Sequence, residues 1–137
     1  MKRLPLLAAL AVAPCLAANP AEPTPVGDDP VRVQRELDYI AAPIKTRAAL
    51  DAYLQRLPPD SPLLALSPPA RQEFLASLVF TEHGLASYRY VPLQQIDLAD
   101  AYRILALFGQ QRSLAALSGM TTRTEEGKRV KAALGMP

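Results

Sequence analysis

From residue 31 onward, apolar residues recur at helical spacing in short blocks, each ended by proline or glycine. In VRVQRELDYIA, Val33, Leu37 and Ile40 fall at i, i+4 and i+7, with Arg32, Arg35 and Glu36 largely on other faces, and Pro43 ends the block. TRAALDAYLQRL follows, with Thr46 as the expected N-cap and Leu50, Tyr53, Leu54 and Leu57 as an apolar stripe. Ser61–Pro62 and Ser67–Pro68 repeat the order of cap then proline that starts a helix, the first with room for only one turn. In SPPARQEFLASLVF the spacing predicts a helix running to about residue 80. Phe74, Leu75, Leu78 and Val79 then lie within an arc of about 140°. On that reading His83 occupies the last turn and Gly84 follows as a C′ residue.

IDLADAYRILALFG carries the clearest boundaries, with Asp97 as N-cap, Asp100 in the first turn and Gly109 at the end. Its apolar residues, from Leu98 to Phe108, cover roughly 200° of the helix surface, which predicts a central element. RSLAAL predicts one further short turn. A last helix is expected from Thr122 or Thr124, with Thr122 and Glu125 spaced as a capping box and Val130 and Leu134 as its apolar face. Gly127 is expected to weaken it by ~1 kcal/mol relative to alanine. ASYRYV alternates loosely and is the only strand-like stretch. The expected fold is therefore an all-α, small single-domain bundle of about five short helices over residues 31–137.

The residues ahead of that domain change the picture of where it works. MKRLPLLAALAVAPCLAANP joins a basic start at Lys2 and Arg3 to a short apolar run, Leu4 to Val12, and then small residues. That order is a bacterial-type export signal, and the run is too short for the ~20 residues that span a bilayer. Cleavage after Ala17 makes 1–17 the signal peptide. Residues 18–30, with prolines at 20, 23, 25 and 30, form a Pro-rich flexible linker. The address is periplasmic or secreted. Contact with a membrane is expected only if Cys15, in VAPC, is lipidated, and Pro14 stands where such a site takes a small residue.

The charge then reads differently. The full chain has 15 basic and 13 acidic residues, and losing Lys2 and Arg3 leaves 13 of each. No like-charge block remains, so nucleic acid is excluded as a partner class. The one cysteine leaves with the leader, which removes disulfides and thiol chemistry.

Candidate chemistry is sparse. His83 is the single histidine, and a nucleophilic or metal role would need Ser, Cys or further ligands beside it. No metal or cofactor is expected. Glu82 is the alternative: a glutamate after an apolar helix can serve as a general acid if burial raises its pKa and a second carboxylate supports it. Asp97 and Asp100 are the nearest in sequence, but helix capping accounts for both. Glu73, nine residues earlier on the same expected helix, faces the opposite way. The surroundings of Glu82 also lack the Glu-Ser pair and the Gly-Leu-Met-Gln run of lytic transglycosylases. Tyr88 and Tyr90 would share one side of an extended segment with Arg89 on the other, and Tyr and Arg dominate protein contacts. The same rings could instead cap the helical core. The reading of function is non-catalytic protein binding by an exported domain (an adaptor, inhibitor or immunity-type partner of another periplasmic protein), through Tyr88, Arg89 and Tyr90. A cell-wall-directed hydrolase using Glu82, with His83 beside it, is the second reading.

Overall fold

The computed structural model describes residues 29–137, and the signal peptide, Cys15 and all of the linker before residue 29 lie outside them. The chain divides into two units, Met1–Val33 and Gln34–Pro137. The described part is mostly helical: α1 (Pro30–Ala41), α2 (Arg47–Gln55), α3 (Pro68–Ala76), α4 (Leu98–Ala106) and α5 (Glu125–Ala133), with three 3-10 helices at Pro62–Ala65, Val91–Gln95 and Gln111–Ala116. A two-stranded hairpin, β1 (Val79–Thr81) and β2 (Gly84–Ser87), interrupts them.

Local chemistry explains most boundaries. Asp29 accepts from the Val31 amide just ahead of α1, and Pro30 takes the first helical position, so the helix opens inside the stretch read as linker. Thr46 caps α2 through the Ala49 amide, and Ser67 caps α3 through Ala70. Ser61 accepts from Leu63 and holds the single turn that follows it. Asp97 caps α4. The cap of α5 is Thr124, bound to the Gly127 amide, so the Thr122–Glu125 capping box is not used.

The core forms around α4. Leu98, Ala101, Ile104 and Leu105 are fully buried, as the broad apolar face of this helix requires. Leu50 of α2, Leu63 and Leu66, Phe74 of α3, Leu93 and Leu114 close around them. Phe74 meets Tyr88 and Phe108 edge-on, with centroids 6.0 and 6.3 Å apart, and Phe80 tilts against Phe108 at 6.2 Å.

The largest departure from the helical expectation follows α3. The helix stops at Ala76, where the Ser77 side chain bonds back to the Phe74 carbonyl. The chain then turns into a hairpin pairing Val79 with Ser87, Phe80 with Leu85 and Thr81 with Gly84. Val79, placed by helical spacing on the apolar arc, is exposed instead. Helical and strand spacing coincide over so short an apolar run, so periodicity alone does not choose between them. Glu82 and His83 make the two-residue turn, Gly84 after them takes φ +96, which favours glycine, and the pairing slips by one residue between Val79 and Phe80.

α1 is held in an unusual way. Asp38 is its one buried residue. Gly109, at φ +74, lies so close beneath the helix that a Cβ there would sit 2.9 Å from the Tyr39 Cα, and one on Gly84 would sit 2.7 Å from the Tyr39 ring. The Lys45 ammonium closes the helix end, donating to the Ala42 and Ile40 carbonyls.

Candidate functional site

The hairpin carries the residues singled out by the sequence, but disperses them. Glu82 and His83 are its turn, with side chains 83% and 86% exposed and 3.3 Å from each other. The His83 amide donates to Thr81 Oγ1 across the turn. His83 is therefore a hairpin residue, not the last turn of a helix. Glu82 stands in solvent, whereas a general acid of this kind sits in a buried apolar pocket. Among the described residues no second carboxylate joins it: Asp97 is buried at a helix cap, Asp100 pairs with Arg103, and Glu73 pairs with Arg89 at 2.6 Å. Glu73 and Glu82 do not share a helix, so the comparison of their faces has no counterpart in the fold. Among the described residues, no group of three or more His, Cys, Asp or Glu side chains is placed to hold a metal ion, and no helix is long and apolar enough to cross a membrane.

Tyr88, Arg89 and Tyr90 leave the strand and separate. Tyr88 turns inward, with its ring on Phe74 and its hydroxyl bonded to Ser113. Burial pushes its phenol pKa up, partly offset by the Ser113 bond. Arg89 points outward, its amide anchored on Ser77 Oγ and its guanidinium on Glu73. Tyr90 is half-buried and has helical backbone angles, φ −90 and ψ −11, so the extended alternation that would align it with Tyr88 ends there. The exposed remainder is Arg89, the edge of Tyr90, and Val91, which is 42% exposed.

A different surface is more distinctive. On α1, Val33, Leu37 and Ile40 are 39, 52 and 68% exposed. Their spacing is that of an apolar stripe, yet the stripe faces away from the core. The helix is held from its other side by Asp38, whose carboxylate accepts from Arg112 Nε at 2.8 Å and Gln34 Nε2 at 3.0 Å. On this inner side the ion pair acts together with the close approach of Tyr39 to Gly84 and Gly109. The sequence signal for the surface was the stripe itself, since periodicity identifies an apolar face without saying what covers it. Elsewhere, an open recess of about 350 Å³ is lined by Leu117, Met120, Met136 and Lys131 among others, and Lys131 is its single charged side chain.

No protein-family model matches this chain, and comparisons with curated proteins and with solved structures also found no match.

Proposed function

We propose that this is an exported, non-catalytic protein-binding domain that docks a periplasmic partner through the apolar ridge of α1. The observation that carries the reading is the exposure of Leu37 and Ile40, with Val33 on the same face, on a helix whose opposite side is fixed by a buried ion pair. Aliphatic side chains at i, i+4 and i+7 on a preformed helix are the anchors of helix-in-groove recognition. Because the helix is already ordered, a partner does not have to offset the entropy of forming it. Covering what is still exposed of three aliphatic side chains contributes about 3–4 kcal/mol in total. That alone gives binding near the millimolar range, so polar contacts around the ridge must add to it. Arg89, with Tyr90 and Val91 after it, is the second candidate contact, and Tyr88 supports it from the core. Export is read from Lys2, Arg3 and the run Leu4–Val12, with cleavage after Ala17.

Purified mature protein should recover a stoichiometric partner from periplasmic extract. Leu37→Asp combined with Ile40→Asp should weaken that capture by roughly 30-fold or more, since each ~1.4 kcal/mol is a factor of ten. Both positions are exposed, so the melting temperature should barely move. Capture of the same partner at undiminished affinity by the double variant would end this assignment.

A further inference from the structure

Asp97 does more than cap α4. One carboxylate oxygen accepts from the Ala99 amide at 3.0 Å and from the Thr124 hydroxyl at 2.8 Å. The other accepts from the amides of Arg123 at 2.6 Å and Thr124 at 3.1 Å. Thr124 in turn accepts from the Gly127 amide at 2.8 Å and so caps α5. The positive ends of two helices therefore converge on a single negative charge. Gly127 belongs to this arrangement: a Cβ there would sit 2.6 Å from the Asp97 carboxylate. Its absence is a condition for the close approach, and not merely a weak point in α5.

Other attachments of the C-terminal segment are modest. Leu98 donates to the Thr121 carbonyl at 2.7 Å, and Gln94 and Thr121 exchange contacts with the backbone of Ser118 and Gln94. Gly127 is the one buried residue of α5, while Val130, Leu134 and Met136 are only partly buried. The centre of the core, by contrast, is built from Leu98, Ile104, Leu105, Phe74, Phe108 and Leu50.

We infer that residues 121–137 form a clip held closed by the charge on Asp97, and that neutralising this charge opens the segment while the remaining core stays folded. Unequal local stability of this kind is expected where a segment buries little apolar surface. Burial alone would raise the pKa of Asp97, but hydrogen bonds from Arg123, Ala99 and Thr124 outweigh it and hold the value below the ordinary range. A depressed carboxylate stabilises the fold above its unfolded pKa, and this contribution is lost as pH falls through the depressed value. The clip is therefore closed at neutral pH and opens only in acid, below the ordinary carboxylate range. The charged groups around it are Asp100 and Arg103 on α4, Arg123 in the connecting segment, and Glu125, Glu126 and Lys128 on α5. Arg103 bridges Asp100 and Glu126, and Lys128 pairs with Glu125. A substitution at neutral pH isolates the part played by Asp97.

The experiment is amide hydrogen exchange on the mature protein at pH 7. Asp97→Asn keeps an oxygen for one helix but turns an N–H donor toward the other. It should speed exchange across residues 125–134 by about tenfold or more, the equivalent of one or two lost charge-assisted hydrogen bonds. Amides inside α2 and α4 should stay as protected as before. Arg103→Ala, which removes the surface ion pairs alone, should leave residues 125–134 within about threefold of the parent. If Asp97→Asn fails to fold, Thr124→Val should produce the same local acceleration more weakly. Unchanged exchange in α5, or acceleration matched across the whole domain, overturns the clip.

Discussion

Phe108→Ala should lower the free energy of unfolding by about 3–5 kcal/mol, the range for deleting a buried aromatic ring. Phe108 is 1% exposed and stands between Phe74 of α3 and Phe80 of the hairpin, with Tyr88 beyond Phe74. Its removal empties the point where α4, α3 and the hairpin meet. Its two aromatic neighbours, Phe74 on α3 and Phe80 on the hairpin, are anchored on different elements and cannot both move in to fill the space. A domain of this size has ~5–15 kcal/mol in total, so the variant should be close to unfolding at 37 °C. Urea titration should give a midpoint that falls sharply with an unchanged slope. A loss under ~1.5 kcal/mol would mean that the cavity collapses and that these rings do not join the three elements as described. Phe108→Leu, which keeps most of the volume, should recover the greater part of the loss.

Arg112→Ala should cost about 2–4 kcal/mol and should act first on α1. Breaking a buried pair from one side leaves an uncompensated charge, which typically costs 3–5 kcal/mol. Asp38 is 7% exposed but Arg112 is 33% exposed, so water admitted from the arginine side reduces that penalty. Gln34 alone then remains on the Asp38 carboxylate. Because Asp38 is the only buried residue of α1, the loss should appear as faster exchange in residues 34–41 before it appears elsewhere. Replacing both partners, Asp38→Leu with Arg112→Met, should restore most of the stability, since an apolar pair of similar volume removes the stranded charge. Failure of the double variant to recover would mean that Arg112 holds α1 by contacts other than this ion pair. The variant also bears on binding: with Leu37 and Ile40 intact but their helix loosened, partner affinity should fall with the order of α1.

Helix starts were legible because they depend on residues one to three positions apart. Thr46, Ser61, Ser67 and Asp97 each place a side-chain oxygen beside the amides of the turn that follows, and this requires nothing distant. The central position of α4 was legible for a related reason, because a helix apolar over most of its surface has few ways to satisfy it other than at the centre. The hairpin was not legible. The residues from Leu78 to Leu85 satisfy helical and strand patterns alike, and pairing with Phe108 and Tyr39 decides between them. The second role of Gly127 was hidden for the same reason: its cost to helix propensity is local, whereas the room it leaves is for Asp97, thirty positions earlier. The candidate site followed this pattern. Glu82 and His83 were notable as residue types but occupy an exposed turn, and Tyr88 was withdrawn into the core by Phe74 and Ser113.

The amino-acid sequence by itself determined most of the segments that become helices, where most of them begin, and which helix lies at the centre, because propensity, capping and amphipathicity act over one or two turns. Only the tertiary structure decided which way an apolar stripe faces. Val33, Leu37 and Ile40 have the spacing of a core face, but Asp38 pairs with Arg112, 74 residues away, and Tyr39 packs on Gly84 and Gly109, so the other side of α1 turns inward. Periodicity records that a helix has two sides, and the choice between them rests on long-range contacts that no local pattern contains.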